Sequence, residues 1–261
     1  IEKSRNTLHG IVDVHPVAAA TKRREGKELS PMMELAGAGA VAFTDDGAPI
    51  VSGEVMRRAL EYASMIGKPV IQHAEDISMT HGGAMNEGLV STSLGMPAMP
   101  AIAEDVMIAR DINLAEYVDA QYHVAHLSTS GAVELVRSAK KKKLRVTCEV
   151  TPHHFTLTDE SVRSFDTNTK MNPPLRSRND VEAIKAGLAD GTIDVIATDH
   201  APHSYDEKQV EFIDAPFGIV GLETALGLAV TELVQNKVIT LGQLVEKFSL
   251  NARHILHLPS I

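Results

Sequence analysis

Six short apolar runs, each followed by a stretch of mixed polarity, constrain this chain more than any other feature of its 261 residues. The runs fall at residues 11–14, 40–43, 69–72, 122–125, 144–150 and 194–197. Most lack polar alternation, as strands buried on both faces of a parallel sheet do. Between them, apolar residues recur at helical spacing over residues 54–66, 102–117, 132–141, 181–189 and 223–235. In the first of these, Val55, Met56, Ala59, Leu60 and Ala63 share one stripe, and Ser52 stands where an N-cap belongs. Such alternation predicts an α/β fold with a parallel sheet, either open or closed into a barrel.

The polar residues favour the barrel. Asp45-Asp46-Gly47, His73-Ala74-Glu75-Asp76, His126 and Asp199 each follow one of the apolar runs. An open doubly wound sheet gathers its ligands mainly at one crevice and carries a glycine-rich turn after its first strand. Here residues 11–14 lead instead into His15-Pro16-Val17-Ala18. A TIM-type (β/α)8 barrel needs eight strands and six are legible, so the expectation is an incomplete barrel. Residues 1–8 read as the end of a helix, with two further strand–helix units expected ahead of them. Residues 1–261 are then one partial metal-dependent hydrolase barrel domain.

Composition narrows the function classes. A formal net charge of −9, with no basic stripe interleaved with aromatics, argues against nucleic acid. Lys140-Lys141-Lys142-Lys143 reads as a solvated helix end, where cations suit the helix dipole. No apolar run reaches membrane-spanning length, and no signal peptide is recognisable, which predicts a cytoplasmic protein with no membrane partner. The single cysteine, Cys148, lies inside an apolar run and reads as a small core residue. The polar, charged residues 204–215 read as a mobile loop able to form a lid.

At the C-terminal ends of barrel strands, side chains converge on the catalytic face. Asp46, His73, His126 and Asp199 would therefore meet there. Two imidazoles and two carboxylates form a nitrogen–oxygen set suited to zinc and tolerable for manganese or cobalt. Any one alone reads as a turn, cap or surface residue; recurrence at four strand ends is the signal. His153 and His154, after Thr151-Pro152, read as structural; His9, His254 and His257 as surface or packing residues. Asn172, in Met171-Asn172-Pro173-Pro174-Leu175-Arg176, would be held by the following prolines and could read a ring bearing N–H and C=O groups. His203 could face a substrate carboxylate, and Pro216-Phe217-Gly218 offers backbone groups near the same mouth.

Taken together, the chain resembles the dihydroorotases of the long bacterial type, in the amidohydrolase superfamily. The resemblance rests on Phe43-Thr44-Asp45-Asp46-Gly47, Gln72-His73-Ala74-Glu75-Asp76, His123-Val124-Ala125-His126-Leu127-Ser128-Thr129, Glu149-Val150-Thr151-Pro152-His153-His154, the Asn172 segment, and Ala197-Thr198-Asp199-His200-Ala201-Pro202-His203. It implies that His73 and His126 ligate one zinc and that Asp46 bridges two. Asp199 would bind the other metal and act as general acid–base. Asn172, His203, Phe217 and Gly218 would contact the substrate. The implied reaction is reversible hydrolysis of the cyclic amide of dihydroorotate to N-carbamoyl-L-aspartate. A homodimer is the implied assembly, with aspartate carbamoyltransferase a candidate partner. The family's His-x-His pair, its first-strand arginine and its β-sandwich domain have no counterpart in this sequence. Two rivals are another cyclic amidohydrolase (an allantoinase or hydantoinase) and a non-catalytic scaffold subunit. The first would carry a bridging lysine where Asp46 stands.

Overall fold

The computed structural model describes residues 12–259. Six parallel strands form its main sheet: β1 (Val17–Ala19), β2 (Ala42–Thr44), β3 (Val70–Gln72), β6 (Tyr122–Val124), β7 (Val146–Val150) and β8 (Val195–Ile196), side by side in that order. A small parallel pair, β4 (Met85–Asn86) and β5 (Ala98–Met99), sits in the excursion after β3. Helices α1 (Met32–Gly37), α2 (Gly53–Met65), α3 (Ile102–Val118), α4 (Ser130–Lys141) and α5 (Arg178–Ala189) connect the strands, and α6 (Ala225–Ala229) follows β8. Sequential parallel pairing with a helix at each crossover is the (β/α)8 arrangement, here with six strands. The α/β, TIM-type expectation holds.

The core lies between the sheet and its helices. Phe43, Val70, Tyr122, Cys148 and Val150 from the strands meet Met56, Leu60, Ile108, Val136 and Ile184 from the helices, all fully or almost fully buried. Helix starts are capped as the sequence requires: Ser52 Oγ accepts from Val55 N, Thr129 Oγ1 from Ala132 N, and Ser177 and Asp180 cap one another. These caps fix where each strand end turns into its helix. Among the described residues, no helix is long and apolar enough to cross a membrane.

Three expectations need correction or qualification, and a fourth lies outside the described residues. The first strand is Val17–Ala19 rather than residues 11–14; Val12 and Val14 are 67% and 47% exposed. The strand sits where its backbone pairs with β2, Val17 beside Ala42. The helix expected over residues 1–8, together with Ile11 and His9, lies outside the described residues. Residues 204–215 are not a free loop. Lys208 and Phe212 are buried, Lys208 Nζ donates to the carbonyls of Thr167 and Pro216, and Lys170 Nζ donates to that of Ile213. The basic block is also only partly solvated, since Lys140 Nζ reaches Asp194 Oδ1 at 2.6 Å and ties α4 to the start of β8.

Candidate functional site

The ends of β2, β3, β6 and β8 deliver Asp46, His73, His126 and Asp199 to one cavity of about 210 Å3. Asn172, Phe217 and Gly218 line the same space. His203 stands behind that wall, its Nε2 donating to the Phe217 carbonyl at 2.9 Å. Gly218 is needed there: its φ is +149°, and an added Cβ would lie 2.5 Å from the Ala201 carbonyl oxygen and 2.9 Å from the His203 ring.

Three of the side chains form a tight set. One ligand atom from each of Asp46, His73 and His126 lies within 4.8 Å of the others. His73 Nδ1 and His126 Nε2 face each other at 2.9 Å, with Asp46 Oδ1 3.7 Å and 3.3 Å away respectively. Both rings are buried, whereas the Asp46 side chain is half exposed. Two inward-facing imidazole nitrogens and a carboxylate oxygen make a donor set that a divalent cation fits.

Electrostatics follow from this crowding. The hydrogen bond from His126 holds the Asp46 carboxyl well below the usual carboxylate range. Burial acts to lower His126, but the Asp46 hydrogen bond and charge win, raising it to about 9. Asp199 behaves oppositely: burial pushes its carboxyl up, with the charges of Asp46 and Glu149 adding to the rise. A carboxyl shifted upward in a cavity is suited to exchanging a proton. His126 and Asp199 also hold positive φ values, +31° and +45°. For residues other than glycine this backbone state costs about 1–3 kcal/mol and concentrates at functional sites.

The two adjacent aspartates divide their work. Asp45 is buried and bound to Thr21, whose backbone N donates at 2.9 Å and whose Oγ1 donates to the other oxygen. It locks the end of β2 to the turn after β1, so Asp46 faces the cavity. His154 is fully enclosed, with Thr151 Oγ1 at Nδ1 and the Pro173 carbonyl at Nε2. Its structural assignment stands. His153 is buried beside it, with Nε2 unpartnered and its pKa lowered by burial to about 3.

Two acidic residues at strand ends carry more than the sequence suggested. Glu75 Oε2 lies 2.9 Å from His73 Nε2 and accepts from Asn172 Nδ2 at 2.9 Å. Glu149 on β7 accepts from His123 Nε2 at 3.2 Å, while Thr147 Oγ1 bonds His123 Nδ1. The available signal was position: Glu75 stands two residues past His73 at the same strand end, and Glu149 near the end of β7.

A family model described as dihydro-orotase-like matches residues 2–132, half of the chain. A dihydroorotase of Pelotomaculum thermopropionicum is 57% identical over 252 residues, covering 97% of this chain and 59% of that protein. One from Syntrophus aciditrophicus is 54% identical over 257 residues, covering 98% of this chain and 59% of that protein. The chain therefore spans about three-fifths of the length of the curated relatives it matches. Among solved structures, an L-hydantoinase from Arthrobacter aurescens superposes with a TM-score of 0.79 at 22% identity, covering 92% of this chain and 55% of its own. A dihydropyrimidinase from Brevibacillus agri gives 0.73 at 21%, covering 85% and 51%. At such identities the likeness carries the fold alone.

Proposed function

Because this chain belongs to the dihydro-orotase-like family, we propose that it forms the catalytic barrel of a metal-dependent dihydroorotase, with residues 1–261 as one partial barrel domain. The reaction is the reversible hydrolysis of dihydroorotate to N-carbamoyl-L-aspartate in de novo pyrimidine biosynthesis. The observation that carries this reading is the convergence of Asp46, His73, His126 and Asp199, from four separate strand ends, on the cavity that Asn172 also lines.

Asp46, His73 and His126 would hold one divalent cation, zinc by the chemistry of the donors, and Asp199 with the shared Asp46 would serve a second. A cation there supplies Lewis-acid polarisation of a carbonyl and acidifies water. The protein's own work is orientation and proton traffic. Asp199 takes the proton from the attacking water and returns it to the departing ring nitrogen; in the ring-closing direction the order reverses. Asn172 and the Phe217–Gly218 backbone orient the ring, and His203 braces that segment from behind rather than facing the substrate.

The same reading places the protein in the cytoplasm as a homodimer acting on a small molecule, with aspartate carbamoyltransferase as a partner to test. Turnover of dihydroorotate, hydantoin and allantoin by the intact protein is the deciding experiment. Preference for dihydroorotate supports the proposal. Preference for either of the others reassigns the chain among cyclic amidohydrolases, and no turnover of any by zinc-loaded protein favours a scaffold.

A further inference from the structure

We propose that Glu75 is a positioning residue, setting which nitrogen of His73 faces the metal triad and which end of the Asn172 amide faces the cavity. This rests on reading Asp46, His73 and His126 as a metal site. An imidazole can ligate through Nδ1 only when that atom keeps its lone pair, so the proton must sit on Nε2. His73 turns Nδ1 toward His126 and Asp46, and its Nε2 lies 2.9 Å from Glu75 Oε2. An ionised carboxylate only accepts, so it fixes the Nε2–H form of the ring.

The carboxylate is held in that role from three sides. Thr80 Oγ1 donates to its other oxygen, Oε1. Asn172 Nδ2 donates to Oε2 at 2.9 Å and lies 3.5 Å from His73 Nε2. With His73 Nε2 also at Oε2, both oxygens of the carboxylate are committed to donors. The reversed amide would set Asn172 Oδ1 against a carboxylate oxygen, two acceptors with no proton between them. Asn172 therefore commits its nitrogen to Glu75, and Oδ1 is the atom left for a ligand. A ligand meeting Asn172 must bring a donor, as a ring N–H does. One nearly buried acid thus couples the triad to the cavity wall, although its neighbour His73 is the residue that would hold the cation.

The test is zinc affinity, measured on the intact protein by competition with a chromophoric chelator, for Glu75→Ala, Glu75→Gln, His73→Ala and the double variants. Outer-shell partners of this kind are worth about 10–100-fold in metal affinity. Glu75→Ala should weaken zinc binding by about that factor. Glu75→Gln, whose amide oxygen can still accept from His73 while its nitrogen donates to Thr80, should recover part of the loss. In the His73→Ala background, Glu75→Ala should cost nothing further, because the partner through which it acts is gone. Unchanged affinity in Glu75→Ala, or an equal loss with and without His73, overturns the proposal while leaving the metal site intact. Unchanged affinity in His73→Ala overturns the metal reading itself. Should Glu75→Ala fail to fold, the same cycle with Glu75→Gln decides: a loss that vanishes without His73 supports the coupling, and no loss refutes it.

Discussion

Two buried polar clusters lie at the same end of this molecule, and they are built on opposite rules. In the first, Arg176 donates to Ser128 Oγ at 2.9 Å, Asn86 Oδ1 at 3.1 Å, the Met99 carbonyl at 3.1 Å and Glu104 Oε2 at 3.3 Å. Glu104 also accepts from Ser128 N and Oγ. Donors and acceptors match, and the charges of Arg176 and Glu104 oppose each other at 4% and 3% side-chain exposure. In the second, two imidazole nitrogens confront each other beside a carboxylate, and His126 Nδ1 is buried without a partner. The first cluster fastens the β4–β5 excursion and the Asn172 segment to the barrel. The second holds the residues proposed above to act on a ligand, and it is the less fully satisfied of the two.

That contrast can be broken from either side. The largest expected effect is on turnover: Asp199→Asn in the intact protein should lower kcat for dihydroorotate by about 100- to 10,000-fold, the range for a lost general acid–base. Urea unfolding of that variant should be unchanged within about 1 kcal/mol, as expected for a group outside the satisfied network. An active Asn variant would remove Asp199 from its role.

Next in size is the satisfied cluster. Arg176→Ala leaves the Glu104 charge buried and unpaired, and should cost about 3–5 kcal/mol in urea unfolding. A loss under 1 kcal/mol would show that the network fastens nothing.

Zinc distinguishes the two clusters directly. At about a hundredfold excess over Kd, binding stabilises a fold by about 2.7 kcal/mol. That increment should survive in Arg176→Ala and vanish in His126→Ala. The opposite pattern in thermal unfolding would reverse the assignment of roles.

A change that is small at each pH step sharpens what satisfaction means. Asp111 on α3 is buried with Arg110 2.7 Å away and Tyr122 at 3.4 Å. Burial outweighs the Arg110 charge and lifts its carboxyl to about 7. An acid raised above its unfolded value favours folding most at low pH, and the benefit fades as pH climbs through the folded pKa. Stability should therefore fall between about pH 4 and pH 7, with a slope of at most about 1.4 kcal/mol for each pH step of one. Asp111→Asn should flatten that stretch of a pH series of denaturation curves; an unaltered slope would assign it to other groups.

Much of this was legible along the chain because strands and helices announce themselves by local periodicity. The runs before Asp46, His73, His126 and Asp199 became β2, β3, β6 and β8 with ends moved by one or two residues. Ser52 caps α2 as its position implied. The first strand was misplaced because Val12 and Val14 are as apolar as Val17, and only pairing with β2 tells them apart. Residues 204–215 looked loose because their charges suggest solvent. Lys208 is buried because distant carbonyls, Thr167 and Pro216, accept from it.

The sequence by itself determined the alternation of elements, the four strand-end ligand candidates and the family, since each depends on residues close together or on motif order. Only the tertiary structure decided that Asp45 holds the end of β2 through Thr21, that His203 braces the wall from behind, and that Glu75 joins His73 to Asn172. The physical reason is that those roles are set by hydrogen bonds spanning from two to about a hundred residues. A side chain's type announces what it can bond, but only the closed packing of the barrel settles which partner it meets.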